Sequence, residues 1–156
     1  RPIQMLSTLN MMLIDTGLRS DSVITCTMFY LVIDAPTGTG FFVNAGHPRP
    51  ILLGNDAADP IRFGGTDLFL GMDEFSPEEG CHTFETGERL VLYTDGITET
   101  GAPAEIFGDE RLVATVADHR GDSPEQCADH IIGVVDDFRG DGERNDDETV
   151  IVIDRI

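Results

Sequence analysis

Two acidic stops stand beside apolar runs in this sequence. Asp95 ends the run Arg89-Leu90-Val91-Leu92-Tyr93-Thr94, and the pair Asp146-Asp147 precedes Thr149-Val150-Ile151-Val152-Ile153. Each run is short, rich in β-branched or aromatic residues and bounded by turn residues, so each reads as a strand. If the two strands are antiparallel neighbours, the end of one lies beside the start of the other, and the carboxylates converge at one sheet edge. Carboxylate oxygens with retained water suit magnesium or manganese. A metal pair held this way lowers the pKa of bound water and clamps a phosphoryl group. Gly96 permits a sharp turn or a close backbone approach directly after the acid. An Asp-Gly pair after a strand is also an ordinary turn, so the reading rests on the pairing of two such stops rather than on either alone.

Other chemistries find less support. His47, His82, His119 and His130 include no H-x-x-x-H pair, and no cysteine stands near one in the sequence. No nucleophile elbow and no glycine-rich loop opening a helix is present. Asp141-x-Glu143-x-Asn145-x-Asp147 imitates the start of a calcium loop, but Asp146 stands where that loop needs glycine and Val152 where it needs glutamate. Cys26, Cys81 and Cys127 are odd in number and far apart, each in an apolar-patterned segment, which predicts buried free thiols in a reducing, cytoplasmic compartment.

The elements that must position the acids belong to one chain of 156 residues with a formal net charge of −19. That length suffices for a single domain with a real core. The charge argues against nucleic acid and anionic membrane surfaces as partners and favours a basic one. No apolar run approaches the roughly 20 residues of a membrane span. From Pro2 the pattern is helical, with Ile3, Met5, Leu6, Leu9, Met12 and Leu13 on one broad core face and Gly17 as the C-terminal cap. Val23 to Ala35 reads as one long strand whose second half is apolar on both faces and therefore interior. Gly40 to Ala45 returns from it through a Pro-Thr-Gly hairpin, and Ile51 to Leu53 follows, a meander implying antiparallel sheet. Asn55 to Pro60 reads as a polar turn, Ile61 to Phe63 as a short strand and Thr66 to Leu70 as irregular. His82 to Glu85 is expected to pair in a hairpin with Arg89 to Tyr93. Gly101 and Pro103 interrupt the stretch from Glu99 to Gly108. Asp109 to Arg120 is helical. Ser123-Pro124-Glu125-Gln126 is a capping box opening a helix that turns Cys127, Ile131, Val134, Val135 and Phe138 inward and stops at Gly140. Helix, strands, helices, strand: this order predicts an α+β fold with helices on antiparallel sheet.

Six stretches in order resemble the bacterial SpoIIE-type branch of the protein phosphatase 2C (PPM) family. They are the opening helix with Leu9-Asn10, Thr27-Met28-Phe29-Tyr30, Asn44-Ala45-Gly46-His47-Pro48, Leu92-Tyr93-Thr94-Asp95-Gly96-Ile97-Thr98-Glu99, Phe107-Gly108-Asp109-Glu110-Arg111-Leu112 and Asp146-Asp147-Glu148-Thr149. The resemblance covers essentially the whole chain, which matches the C-terminal two-thirds or more of the family's domain. It implies a β-sandwich of mostly antiparallel sheets flanked by helices. It also implies hydrolysis of phosphoserine or phosphothreonine with two manganese or magnesium ions. The substrate so implied is a small STAS-type anti-anti-sigma protein, in bacterial stress or sporulation signalling. Carried over, Asp95 matches the metal-binding acid of the family's T-D-G motif and Asp146 that of its D-D/N-x-T/S motif. Asp147 falls on the neighbouring place, often Asn in relatives. Asn44 to His47 looks like a structural turn, with His47 a packing or supporting residue rather than a general acid.

The sequence departs from that family at its start. The family's upstream G-D-x-x-G-H-G-like segment, which supplies the acid bridging both metals, is absent, as are the first sandwich strands. The chain opens inside a helical pattern and without Met, which leads to the expectation that it is an N-terminally incomplete phosphatase domain, following upstream sensor domains and inactive alone. The alternative is a catalytically inactive binding module of the same fold. A third reading is an acidic α+β domain in which Asp95 and Asp146 are turn residues.

Overall fold

The computed structural model describes residues 1–54, 60–65, 68–102 and 105–156. In chain order the elements are α1 (Pro2–Ser20), β1 (Met28–Ile33), β2 (Thr39–Ala45), β3 (Ile51–Leu53), β4 (Ile61–Arg62), β5 (Gly80–Thr83), β6 (Arg89–Tyr93) and α2 (Asp95–Thr98). They continue with β7 (Gly101–Ala102), β8 (Glu105–Ile106), α3 (Gly108–Asp118), α4 (Pro124–Arg139) and β9 (Val150–Asp154). The fold is α+β, and among the described residues every strand pair is antiparallel. The polar turn expected from Asn55 lies, Pro60 apart, outside the described residues, as do Thr66, Asp67 and the helix-interrupting Pro103. The chain divides into two compact units, residues 1–49 with 64–84, and residues 50–63 with 85–156.

The first unit packs α1 on the sheet β1-β2-β5. Leu6 is fully buried with Val43, Ala45 and Leu70, and Ile3, Leu9 and Leu13 close the cluster. Met5 and Met12, expected on that face, are exposed, Met12 by 60%. The apolar stripe of α1 is thus narrower than its composition suggests. Asn10 takes a core place because both ends of its amide are satisfied: Nδ2 donates to the Met72 carbonyl at 3.0 Å and Oδ1 accepts from Gly71 N at 2.6 Å. The helix does not end at Gly17. It runs to Ser20 and is capped by Asp21 in the left-handed region, φ +52°. Gly17 serves the returning chain instead, since a Cβ there would stand 2.5 Å from the Ser22 carbonyl oxygen.

The long strand expected over Val23 to Ala35 is restricted to β1. Ahead of it only Cys26 makes a bridge, to Leu70, while the Ile24 carbonyl packs on Gly71. Nor is β1 interior: it lies at the edge of its sheet, and Val32 is 46% exposed. β-Branched composition reports strand propensity, not burial on both faces. The hairpin between β1 and β2 forms as expected, Ile33 opposite Gly40. β5 does not pair with β6. It adds to β2, Gly40 opposite His82, whereas β3 and β6 join the sheet of the second unit. The expected meander and the second hairpin are therefore divided between two sheets.

The second unit has the sheet β4-β3-β6-β9. Ile51, Leu53, Val91 and Tyr93 share a core with Leu112 and Val116 of α3 and Cys127, Ile131 and Val135 of α4. Burying each of these aliphatic side chains contributes about 1.5–3 kcal/mol. Removal from water also pushes the Tyr93 phenol up to about 12, against the opposing pull of Arg62. The capping box is formed: Ser123 Oγ accepts from Gln126 N at 3.2 Å, and Gln126 Oε1 from Ser123 N at 3.0 Å. Val134, expected inward, is 38% exposed, whereas Phe138 meets Phe107 edge-to-face. Of the three thiols only Cys127 is buried; Cys26 and Cys81 are exposed, and all three are free. The interrupted stretch after Glu99 carries the short β7–β8 ladder.

Candidate active site at the β6–β9 edge

β6 and β9 are antiparallel neighbours in register, Arg89 opposite Asp154 and Tyr93 opposite Val150. The end of one strand therefore lies beside the start of the other, the arrangement the two acidic stops require. Beyond the ladder Thr94 continues the stitching. Its N–H donates to the Thr149 carbonyl at 3.1 Å, and its Oγ1 donates to the Asp147 carbonyl at 2.8 Å and accepts from Thr149 N at 2.9 Å. Asp95 then opens α2, and Gly96 packs on the facing loop: a Cβ there would stand 2.5 Å from the Asp147 carbonyl oxygen and 3.4 Å from the Asp146 carbonyl carbon. Only glycine lets the two acidic segments approach this closely.

The carboxylates of Asp95, Asp146 and Asp147 are exposed. Asp95 Oδ1 accepts from Gly96 N at 3.1 Å and Asp146 Oδ1 from Asp147 N at 2.7 Å, which holds each carboxylate against its own backbone. The donor set is all oxygen, which fits Mg2+ or Mn2+. Two acidic segments meet here, but Asp95, Asp146 and Asp147 do not form a ready three-ligand set. Among the described residues, the group of three potential ligands whose atoms lie within 4.8 Å of one another is elsewhere, at His119, Asp122 and His130.

Two positioning residues lie inside the resembling stretches, but spacing alone does not reveal what they do. Thr94, the first residue of the T-D-G match, ties both acidic segments together through one hydroxyl. Glu148, read only as the third acid of a run, has a side chain 2% exposed and paired with Arg139 of α4. Thr100 Oγ1 lies 3.1 Å from Glu148 Oε1 and 2.7 Å from the Gly96 carbonyl, joining the acidic loop to the turn after Asp95. Burial works against the Arg139 charge, but bonds to Asp136 and Glu148 outweigh it and hold its pKa above the ordinary value. A partner nine residues distant on a helix leaves no local signature. Thr94→Val keeps the shape of the side chain and removes both hydroxyl bonds. Leaving the Asp147 carbonyl and Thr149 N–H without that partner should cost about 1–3 kcal/mol, read as a lower urea midpoint with an unchanged slope.

In the first unit the Asn44–His47 segment is the structural turn expected. Buried Asn44 donates Nδ2 to the His47 carbonyl and accepts His47 N on Oδ1, both at 2.9 Å. The His47 ring lies 3.3 Å from Thr27 Oγ1.

This antiparallel α+β architecture, with acids at the junction of two neighbouring strands, is the fold of PP2C-type phosphatase domains. The chain belongs to the SpoIIE family: the model for Stage II sporulation protein E matches residues 1–156. It is similar to Protein IcfG of Synechocystis, 34% identical over 98 residues, covering 62% of this chain and 15% of that protein. It is also similar to the phosphoserine phosphatase RsbP of Bacillus subtilis, 27% identical over 130 residues, covering 83% of this chain and 30% of that protein. The chain thus spans less than a third of the curated relatives it matches. Among solved structures, the manganese-presoaked phosphatase domain of SpoIIE from Bacillus subtilis superposes with a TM-score of 0.68 at 21% identity. That match covers 99% of this chain and 73% of the other.

Proposed function

We propose that residues 1–156 form one phosphatase domain of a metal-dependent protein serine/threonine phosphatase, with Asp95 and Asp146 as metal ligands and Asp147 as an accessory one. The observation that carries this reading is the packing of Gly96 on the Asp146–Asp147 peptide. It brings the two acidic stops together at one edge in a chain of the SpoIIE family. When bound, manganese or magnesium supplies Lewis-acid polarisation of the phosphoryl group and activates water. The chain's own residues do the rest: Thr94 and Gly96 hold the two acidic segments in register, and Glu148 with Arg139 braces the loop from behind. The substrate is a phosphorylated STAS-type anti-anti-sigma protein, acted on in the bacterial cytoplasm. Similarity to RsbP, itself called a phosphoserine phosphatase, supports phosphoserine as the group acted on.

A non-catalytic binding module of the same fold is the second reading. It draws on the fact that Asp95, Asp146 and Asp147 do not by themselves make a three-ligand cluster. The test compares this chain with the full-length gene product on an aryl phosphate and on a phosphoserine STAS protein, with manganese present. The phosphatase reading predicts no turnover by the 156-residue chain and manganese-dependent turnover by the full-length protein, with a higher kcat/KM for the STAS substrate. Asp95→Asn and Asp146→Asn should each lower that turnover at least about 100-fold, equivalent to about 2.7 kcal/mol of barrier. A full-length protein that binds the phosphorylated substrate without turning it over would establish the module instead.

A further inference from the structure

Three side chains converge at the turn between α3 and α4. His119, the C-terminal cap of α3, places Nδ1 2.9 Å from Asp122 Oδ2. His130, in the second turn of α4, places Nδ1 2.7 Å from the same oxygen. The two imidazole rings stack with centroids 4.0 Å apart and planes inclined by 30°. All three potential ligand atoms lie within 4.8 Å of one another. The side chains of His119, Asp122 and His130 are 30%, 29% and 51% exposed, so an ion can reach them from solvent.

We propose that His119, Asp122 and His130 bind Zn2+, at a site separate from the oxygen-only edge of Asp95 and Asp146. Two imidazole nitrogens and one carboxylate are a zinc donor set, and three protein ligands leave the fourth tetrahedral position to water. Donors about 2.0–2.1 Å from a tetrahedral ion stand about 3.3 Å apart. The two Nδ1–Oδ2 distances, 2.9 and 2.7 Å, therefore have to lengthen by about half an ångström, and the stacked rings have to turn so that both Nδ1 lone pairs meet at the ion. Without a cation, one carboxylate oxygen accepts two N–H groups from rings in stacking contact. With it, a single ion replaces both protons.

The frame behind the ligands is fixed in advance. Arg89, buried in β6, donates Nη1 to the His119 carbonyl at 3.2 Å and Nη2 to the Asp122 carbonyl at 2.6 Å. Asp122 N donates to the His119 carbonyl at 3.2 Å, and the capping box at Ser123 sets the first turn of the helix that carries His130. The backbone of all three ligands is thus anchored before an ion arrives, and the site acts as a clamp between the end of α3 and the start of α4.

The test is a calorimetric titration of the 156-residue chain with Zn2+ alone. One site is expected, weakened at least about tenfold in His119→Ala and in His130→Ala and retained in Asp146→Asn. Imidazole 15N spectra of the wild-type chain supply a readout that needs no variant: Zn2+ should shift the ring nitrogens of His119 and His130 and leave His47 and His82 in place. Absence of saturable uptake, equal shifts at all four histidines, or affinity unchanged in both alanine variants would overturn the site. None of these outcomes depends on phosphatase activity, so the zinc site and the phosphatase reading can fail separately.

Discussion

Gly96→Ala is expected to destabilise the second unit by about 1–3 kcal/mol and to weaken manganese uptake at the β6–β9 edge. The added methyl would stand 2.5 Å from the Asp147 carbonyl oxygen and 3.0 Å from its carbon. Both are backbone atoms, so no flexible side-chain end can turn away. Relief requires the Asp146–Asp147 loop to retreat from α2, which costs what overpacking of a filled site generally costs. The same retreat separates the two acidic segments, so the loss of metal uptake should exceed what global destabilisation explains. Gly133→Ala is the matched control. Gly133 is an exposed residue within α4 with nothing within 4 Å of an added Cβ. There the substitution should stabilise by about 0.5–1 kcal/mol through helix propensity. Urea unfolding of the two variants should therefore move in opposite directions.

Arg89→Met should cost about 3 kcal/mol. Arg89 is 4% exposed yet charged, because Asp154 receives its Nε and Nη2 at 2.6 and 2.8 Å and two carbonyls accept from Nη1 and Nη2. The Asp154 bonds are the main reason its pKa lies above the ordinary value. Methionine fills much of the volume but leaves Asp154 and the His119 and Asp122 carbonyls without their common donor. Removing one member of a buried pair typically costs about 3–5 kcal/mol, and the partial exposure of Asp154 favours the lower end. Against a total stability of about 5–15 kcal/mol this is a large fraction. Arg19→Met, which removes an exposed i,i+4 partner of Asp15, should change stability by less than about 0.5 kcal/mol. Equal urea midpoints for the two variants would contradict the role given to Arg89.

What could be read from the sequence was what is local. The capping box at Ser123, the stop at Gly140 and the strands flanking Asp95 and Asp146 each depend on neighbours within a few residues, and each stands where the pattern puts it. The convergence of the two acidic stops followed from one added assumption, antiparallel pairing of those strands. What was not legible depends on distant partners. Nothing near His82 indicates that β5 will pair with β2 rather than β6, because both choices satisfy the same alternation. Gly17 has the look of a cap, but its lack of a side chain answers to Ser22. The histidine cluster escaped spacing rules because its members come from a helix end, a turn and a second helix, not from one helical face. Glu148 escaped because its partner Arg139 precedes it on α4.

Whether Asp95 and Asp146 jointly hold a divalent cation is decided by paramagnetic broadening. Mn2+ would be titrated into the 15N-labelled 156-residue chain, with Asp95→Asn and Asp146→Asn alongside. The amides of Asp95, Gly96, Asp146 and Asp147 are expected to broaden first, at weak but saturable metal concentrations, and either substitution should remove this effect. Broadening that starts elsewhere, or that persists at these four amides in both variants, would contradict joint binding.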